Sequence, residues 1–266
     1  VINQGKKSVV GILIDAVDYD AAVSRIRSAA VNQQPYTVSA LAVHGVMLGA
    51  TDVHHKFRLN HFDLLVPDGQ PVRWALNLLH KADLSDRVYG PELTLRTLSM
   101  AAEQDLPVYF YGSTPDILES LQKNLLTRFP KLQIAGAEPS KFRKLNANET
   151  EAIAKRIGDS GARIVFVGLG CPRQEVFAYE MRELLSMPLL AVGAAFAFIG
   201  GQLAQAPPTM QRFGLEWLYR FKEEPVRLWR RYLYLNPYYL ALLTSQLLGR
   251  RYSTAGQPPV ENVRYG

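Results

Sequence analysis

Through its first two hundred residues the chain alternates short apolar runs with helix-like windows, and this alternation constrains the fold more than any other feature. The strand-like runs are Val9–Ile14, Tyr36–Val43, Asp63–Val66, Val108–Tyr111, Leu132–Ala135, Arg163–Val167 and Leu189–Val192. Several lack the polar alternation of a sheet with one wet face, as expected of strands covered on both sides. Helical windows lie between them at Tyr19–Ala30, Pro91–Gln104, Pro115–Arg128, Glu149–Gly158 and Gln174–Ser186. Thr114-Pro115 is an N-cap followed by proline at the first helical position, and Asn148 with Glu151 has the spacing of a capping box. The order predicts an α/β fold: a Rossmann-like, mostly parallel sheet with helices on both faces.

Near Gln202 the pattern changes. No strand is expected beyond it, and the chain becomes helical, basic and aromatic. Eight basic residues face three acidic ones between Arg212 and Tyr252, so nearly all of the net charge of +6 lies there. The expected organisation is an α/β domain over 1–201, a helical basic and aromatic appendage over 202–252, and a loose tail over 253–266. The 266 residues are 48% hydrophobic, enough for a full core without staples. Cys171 is the single cysteine, which excludes an intrachain disulfide and fits a reducing compartment. No charged leader precedes an apolar run, so no secretory signal is expected. The apolar stretches Met187–Ile199 and Tyr232–Leu248 are interrupted by proline and polar residues. They read as a buried strand and an interfacial helix rather than as membrane spans.

Three stretches can carry chemistry. Pro67-Asp68-Gly69 follows a strand directly, and parallel α/β sheets bind ligands beyond the carboxyl ends of their strands. Asp68 there can serve as a general base, or the tripeptide can simply turn the chain. Arg87, in Asp86-Arg87-Val88-Tyr89-Gly90-Pro91, precedes a helix whose N-terminus favours an anion; it suits a diphosphate, or an ordinary ion pair with Asp86 or Glu92. Gly168-Leu169-Gly170-Cys171-Pro172-Arg173-Gln174-Glu175 joins a strand to a helix through a glycine-rich turn. It lacks the third glycine of the dinucleotide fingerprint and the Gly-Lys-Ser/Thr of a P-loop. Gln174 and Glu175 offer polar groups to a sugar or ribose, and Cys171 reads as a small turn residue. His44 follows the Tyr36–Val43 strand and can reach the same cleft. Asp18-Tyr19-Asp20 matches a metal-binding Asp-x-Asp in letters but reads as a helix start. His54, His55 and His61 lack partners at ligand spacing.

Taken in order, these motifs resemble the WecG/TagA/CpsF family of bacterial glycosyltransferases (glycosyltransferase family 26) over about residues 8–240. The resemblance rests on Val66-Pro67-Asp68-Gly69, Arg87-Val88-Tyr89-Gly90, Tyr111-Gly112-Ser113, the Val167–Glu175 stretch, Ala206-Pro207, Gly214–Arg220, Glu224-Pro225 and Arg230-Arg231-Tyr232. It implies an inverting, metal-independent enzyme with no cofactor, moving a sugar from a UDP-sugar to a polyprenyl-diphosphate-linked saccharide in surface or exopolysaccharide synthesis. It further implies Asp68 as base and Arg87 near the donor diphosphate. Gly69, Gly112, Gly168, Gly170, Gln174 and Glu175 would border the substrates, and Arg220, Arg227 and Arg230 would close the site from the appendage. Many members carry Thr-x-Asn after the second strand; here that Asn is absent, leaving Ser39 or Thr37, with His44 as a replacement polar group. The donor sugar is accordingly N-acetylmannosamine, its uronate, or glucose. The implied location is cytoplasmic, peripheral on the inner face of the membrane, with an anionic membrane surface as partner, no nucleic acid, and a homo-oligomer allowed. The rival readings are a nicotinamide-dependent oxidoreductase, disfavoured by the missing glycine, and a nucleic-acid-binding protein, disfavoured by the apolar run Tyr238–Leu243 beside the arginines.

Overall fold

The computed structural model describes residues 1–261 and 263–266, apart from the side chains of Pro208, Arg227, Arg230 and Arg231. Its centre is a six-stranded parallel sheet in the order β4-β3-β8-β7-β5-β6. The strands are β3 (Tyr36–Leu41), β4 (Leu64–Pro67), β5 (Val108–Gly112), β6 (Ile134–Glu138), β7 (Ile164–Gly168) and β8 (Pro188–Ala191). An antiparallel hairpin, β1 (Asn3–Val9) and β2 (Ile12–Val17), precedes them. The expected single strand Val9–Ile14 is thus the turn of a hairpin: Val10 and Gly11 both take positive φ, and a two-residue connection of that hand joins twisted strands.

The uninterrupted apolar runs have the predicted cause. Along β5, Val108 and Phe110 enter one core while Tyr109 and Tyr111 enter the other, and β7 divides Ile164 and Phe166 from Val165 and Val167 in the same way. Helices α1 (Tyr19–Val31), α5 (Gly90–Glu103), α6 (Pro115–Arg128) and α9 (Ala195–Gly200) cover one face. The hairpin, α2 (Val43–Thr51), α3 (Val53–Asn60), α4 (Gln70–His80), α7 (Ala147–Asp159) and α8 (Arg173–Met181) build the other. The sequence reading lacked α2, α3, α4 and α9, and it ran the Gln174–Ser186 helix beyond its end at Met181.

Caps fix the starts. Thr114 accepts from the Ile117 N–H as expected. The capping box is Asn146 with Glu149, not Asn148 with Glu151, because α7 starts two residues earlier. Asp18 caps α1 by accepting from Ala21, and Asp20 lies in the first turn, so both aspartates of Asp-x-Asp belong to the helix start.

The appendage comprises α10 (Pro208–Arg212), α11 (Glu216–Glu223), α12 (Pro225–Trp229), a π-helical stretch Arg230–Leu235 and α13 (Asn236–Leu247). The expected interruption at Pro225 is present: α11 ends before it, with Glu224 outside helical geometry. Within the apolar run Tyr238–Leu243, Tyr239 and Leu243 are buried in the core under α4, whereas Tyr238 and Leu240 face outward. α13 is therefore part of the folded domain rather than a separate interfacial helix. The described residues of the 253–266 stretch, expected as a loose tail, are hydrogen-bonded to the rest of the chain. Gln257 N–H donates to Val53 at 3.0 Å, Asn60 to the Thr254 carbonyl at 2.8 Å, and the Val263 and Arg264 N–H groups to the Glu180 carboxylate at 2.8 and 3.0 Å. Backbone groups that turn polarity alone suggests are solvated are satisfied here by the protein. Among the described residues no helix is long and apolar enough to cross a membrane.

Candidate active site

A cleft of about 750 Å³ opens at the carboxyl ends of the neighbouring parallel strands β4, β3, β8 and β7. Asp68 is the first residue after β4. Its backbone N–H donates to Leu41 at 3.2 Å, tying it to the neighbouring strand. Its Oδ1 accepts from the Gly90 N–H at 2.6 Å, at the start of α5. Burial pushes the carboxyl up to about 6, against the opposing pull of Arg87, the Gly90 N–H and Arg220 and with the help of Glu216. A carboxylate that changes protonation near neutral pH is suited to taking a proton from a hydroxyl.

Arg87 is buried, and its partner is neither Asp86 nor Glu92. Its Nη2 donates to Glu216 at 2.7 Å and to Gln211 at 3.1 Å, and its guanidinium lies 4.1 Å over the Tyr89 ring. The Tyr89 hydroxyl donates to the other Glu216 oxygen at 3.2 Å. The appendage is thus fastened to the cleft by a charge pair at its edge. Arg87 borders two cavities beside the main cleft and not the cleft itself. Arg220, one turn beyond Glu216 on α11, does line the cleft, with its guanidinium 5.7 Å from the Phe198 ring. Arg227 and Arg230 have side chains outside the described residues.

The Gly168–Glu175 turn forms the opposite wall. Gly168, Gly170, Gln174 and Glu175 all border the cleft. Gln174 accepts from the Gly170 N–H at 3.1 Å and donates to Glu175 at 2.9 Å, so its amide braces the turn from inside. Glu175 is buried and also accepts from the Ser39 hydroxyl at 2.9 Å; burial raises its carboxyl. Ser39 does not border the cleft: it is buried, and its hydroxyl donates to Glu175 in the wall. His44, in the first turn of α2, lines the cleft beside Asp68. Gly69 borders the small cavity on the far side of Asp68. Gly112 lies behind the wall. With φ +110°, any Cβ there would stand 2.8 Å from the Gly168 carbonyl carbon, so glycine lets β5 and β7 end side by side and brings Ser113 to the cleft.

Sequence reasoning passed over Ser113, Arg173, Phe198 and Glu216. Ser113, Arg173 and Glu216 were all in motifs already singled out; Ser113 follows the end of β5, and Arg173 opens α8 after the glycine-rich turn. The pairing of Glu216 with Arg87 could not be found from local pattern, since it spans 129 residues of chain. His54, His55 and His61 do not assemble. The Nδ1 atoms of His54 and His61 face backbone carbonyls, and among the described residues no group of three or more His, Cys, Asp or Glu side chains is placed to hold a metal ion.

The Glyco_tran_WecG family model, described as glycosyl transferase WecG/TagA/CpsF family, matches residues 7–253. The chain is also similar to an N-acetylglucosaminyldiphosphoundecaprenol N-acetyl-beta-D-mannosaminyltransferase of Bacillus spizizenii strain W23, with 30% identity over 200 residues, 75% of each chain. A parallel sheet with a cleft at its carboxyl edge is common to many chemistries, so fold alone would not choose among them. The match across nearly the whole chain does: this protein is a glycosyltransferase and belongs to the WecG/TagA/CpsF family.

Proposed function

We propose that the protein is an inverting transferase that moves N-acetylmannosamine or a related sugar from its UDP donor to N-acetylglucosamine carried on undecaprenyl diphosphate. The observation that carries this reading is Asp68, whose carboxyl is held near neutrality at the junction of the large cleft and a smaller cavity. An inverting transfer needs one base, on the acceptor side of the anomeric carbon, and positive charge where the diphosphate departs. Asp68 supplies the first. Arg220 and Arg173 in the cleft supply the second, with Arg87 holding the appendage through Glu216. Gly168, Gly170, Gln174 and Glu175 form the wall for the nucleotide-sugar, with Ser39 behind it, and His44 and Gly69 flank the base. The similarity to the Bacillus spizizenii transferase supports the acceptor and the donor sugar.

The same reading makes the reaction independent of a metal, since arginines and backbone N–H groups meet the leaving charge. It also places the enzyme on the inner face of the cytoplasmic membrane, with residues 202–252 toward the lipid. Trp229, Leu233 and Tyr234 are exposed apolar side chains among arginines, the composition that an anionic interface favours. The test is a panel of UDP-sugars with a short-chain prenyl-diphosphate N-acetylglucosamine, scored by UDP release in EDTA. Release with UDP-N-acetylmannosamine in EDTA is the expected result. Activity that vanishes in EDTA and returns with Mn²⁺ or Mg²⁺ would overturn metal independence, and no release with any donor would overturn the reaction.

A further inference from the structure

We infer that Gln70 is an acceptor-recognition residue, its side-chain carbonyl accepting a hydrogen bond from a hydroxyl of the acceptor saccharide. The inference rests on the transferase reading above and assigns a residue which that reading leaves without a role.

Gln70 follows Asp68-Gly69 at the first position of α4 and is 5% exposed. Its Nε2 donates to Asp86 Oδ1 at 3.0 Å. A carboxylate only accepts, so this bond fixes which end of the amide is which. Asp86 is held in turn by the Arg87 backbone N–H at 2.8 Å. The amide is therefore oriented, and its Oε1 is left buried with no hydrogen-bond partner among the described residues. A buried carbonyl without a partner costs about 1–3 kcal/mol, so an oriented one beside the base is an acceptor reserved for something that binds.

What binds there follows from the position of Asp68. The nucleotide wall, Gly168–Glu175, is in the large cleft, and Gln70 does not border that cleft. Gln70 borders a small cavity that shares Asp68, His44 and Arg220 with the cleft and adds Trp217 and Asn236, and it also borders the wider cavity lined by Asp86 and Arg87. In an inverting displacement the attacking hydroxyl and the departing UDP lie on opposite sides of the anomeric carbon. Asp68 lines both cavities, and with the nucleotide wall confined to the cleft the small one is left to the acceptor. The small cavity has the chemistry of a sugar site: it is lined by the indole of Trp217, whose ring lies 5.8 Å from that of Tyr232, and by the amide residues Gln70 and Asn236. The appendage completes it. Gly214 has φ +69°, and a Cβ there would stand 2.8 Å from the Trp74 ring and 3.3 Å from the Gln70 Cβ, so glycine lets the chain lie directly on Gln70.

The experiment uses the full-length enzyme, a short-chain prenyl-diphosphate N-acetylglucosamine, and its monodeoxy analogues. Gln70→Met keeps the length of the side chain and removes the carbonyl. Acceptor KM should rise about 10-fold or more, the scale for losing a hydrogen bond to a substrate hydroxyl, while donor KM stays within about twofold. One deoxy acceptor should lose about 10-fold with the unaltered enzyme and nearly nothing further with the variant, because the bond is already gone. Should Gln70→Met fail to fold, Gln70→Asn draws the carbonyl back by one methylene and should show the same selective rise. An unchanged acceptor KM in a folded variant, or deoxy acceptors that lose equally in both proteins, would overturn the assignment. No transfer by the unaltered enzyme would remove the transferase reading and the assignment with it, and that outcome is visible before any variant is made.

Discussion

Helices α11 and α13 both belong to the basic, aromatic end of the chain, yet they are attached to the protein by different forces. α13 is attached by burial. Tyr239 is 1% exposed and Leu243 is 7%, both within the same core as the hairpin and α4, and Gln246 bridges back to Ser8 and Val10. Burying two such side chains contributes about 1.5–3 kcal/mol each. α11 buries no residue completely, and Leu218 on it is 45% exposed. It is held at the cleft by Glu216 on Arg87 and Tyr89. Apolar burial is indifferent to substrate, whereas a charge pair at the edge of the cleft is not. α13 therefore reads as scaffold and α11 as the part of the appendage that belongs to the reaction.

The largest expected effect falls on the scaffold side. Tyr239→Ala should cost about 3–5 kcal/mol of stability, as for other large buried aromatics, while molecules that remain folded keep their turnover. Denaturant unfolding alongside initial rates at low temperature separates the two. Removal of everything after Gly201 strips the same contacts from α2 and α4, so a truncated protein should lose stability as well as activity. It cannot report on α11 alone. A truncated protein as stable as the full chain would break the comparison.

On the chemical side, Asp68→Asn keeps the acceptor for the Gly90 N–H but cannot take a proton. Turnover should fall about 10²-fold or more with UDP affinity retained, and near-normal turnover would remove Asp68 as base. The unaltered enzyme should lose kcat/KM as pH falls below about 6, where its carboxyl protonates. Stability follows the opposite sign from an ordinary ion-paired aspartate. The folded pKa lies above the unfolded one, so the folded protein is penalised once pH rises through that window. Asp68→Asn should melt higher than the unaltered protein above pH 6, and the difference should vanish near about pH 3, below the unfolded value. Thermal melts at the two pH values check this.

A smaller effect is expected on α11. Arg220 lines the cleft at the foot of Phe198, and Arg220→Ala should lower turnover on a soluble acceptor about 10-fold with little change in melting temperature. If soluble turnover is intact and only liposome binding falls, α11 is a membrane contact and nothing more.

These contrasts also mark what could be read from the sequence. The parallel sheet was legible because strands buried on both faces carry runs such as Val108–Tyr111 that no helix or wet sheet needs. The strand-end motifs were legible because the residue after such a run is placed at the ligand edge. The hairpin was hidden because Val10-Gly11 breaks an apolar run without a polar letter. Helices α2 and α3 were hidden because they follow directly on strand residues and on each other. The roles of Tyr239, Glu216 and Ser39 depend on partners 168, 129 and 136 residues away, a distance at which neither periodicity nor capping carries information. The composition of the last fifth of the chain described α11 and α13 alike; only packing separates them.

The smallest effect is expected at Cys171, the only thiol and a residue of the cleft wall. Its position invites a nucleophile reading more strongly in three dimensions than in sequence. A Cβ on Gly45 would stand 3.5 Å from the Cys171 Sγ, so the start of α2, with His44, lies against this turn. Two observations weigh against covalent chemistry. The thiol acts as a hydrogen-bond partner of the buried Glu175 carboxyl, which braces Gln174 and Ser39, so it is part of the wall's internal bonding. A carboxylate proton acceptor already stands across the cleft, and a single displacement with inversion uses one base and no enzyme-bound sugar. Cys171→Ala then removes one weak hydrogen bond at the wall and should lower turnover by less than about threefold, the scale of a neutral bond in a partly solvated site. Cys171→Ser, which keeps a donor, should be closer still to the unaltered enzyme. A folded, UDP-binding Cys171→Ala protein without turnover, or a product with retained anomeric configuration, would put the nucleophile on the loop and take the base role from Asp68.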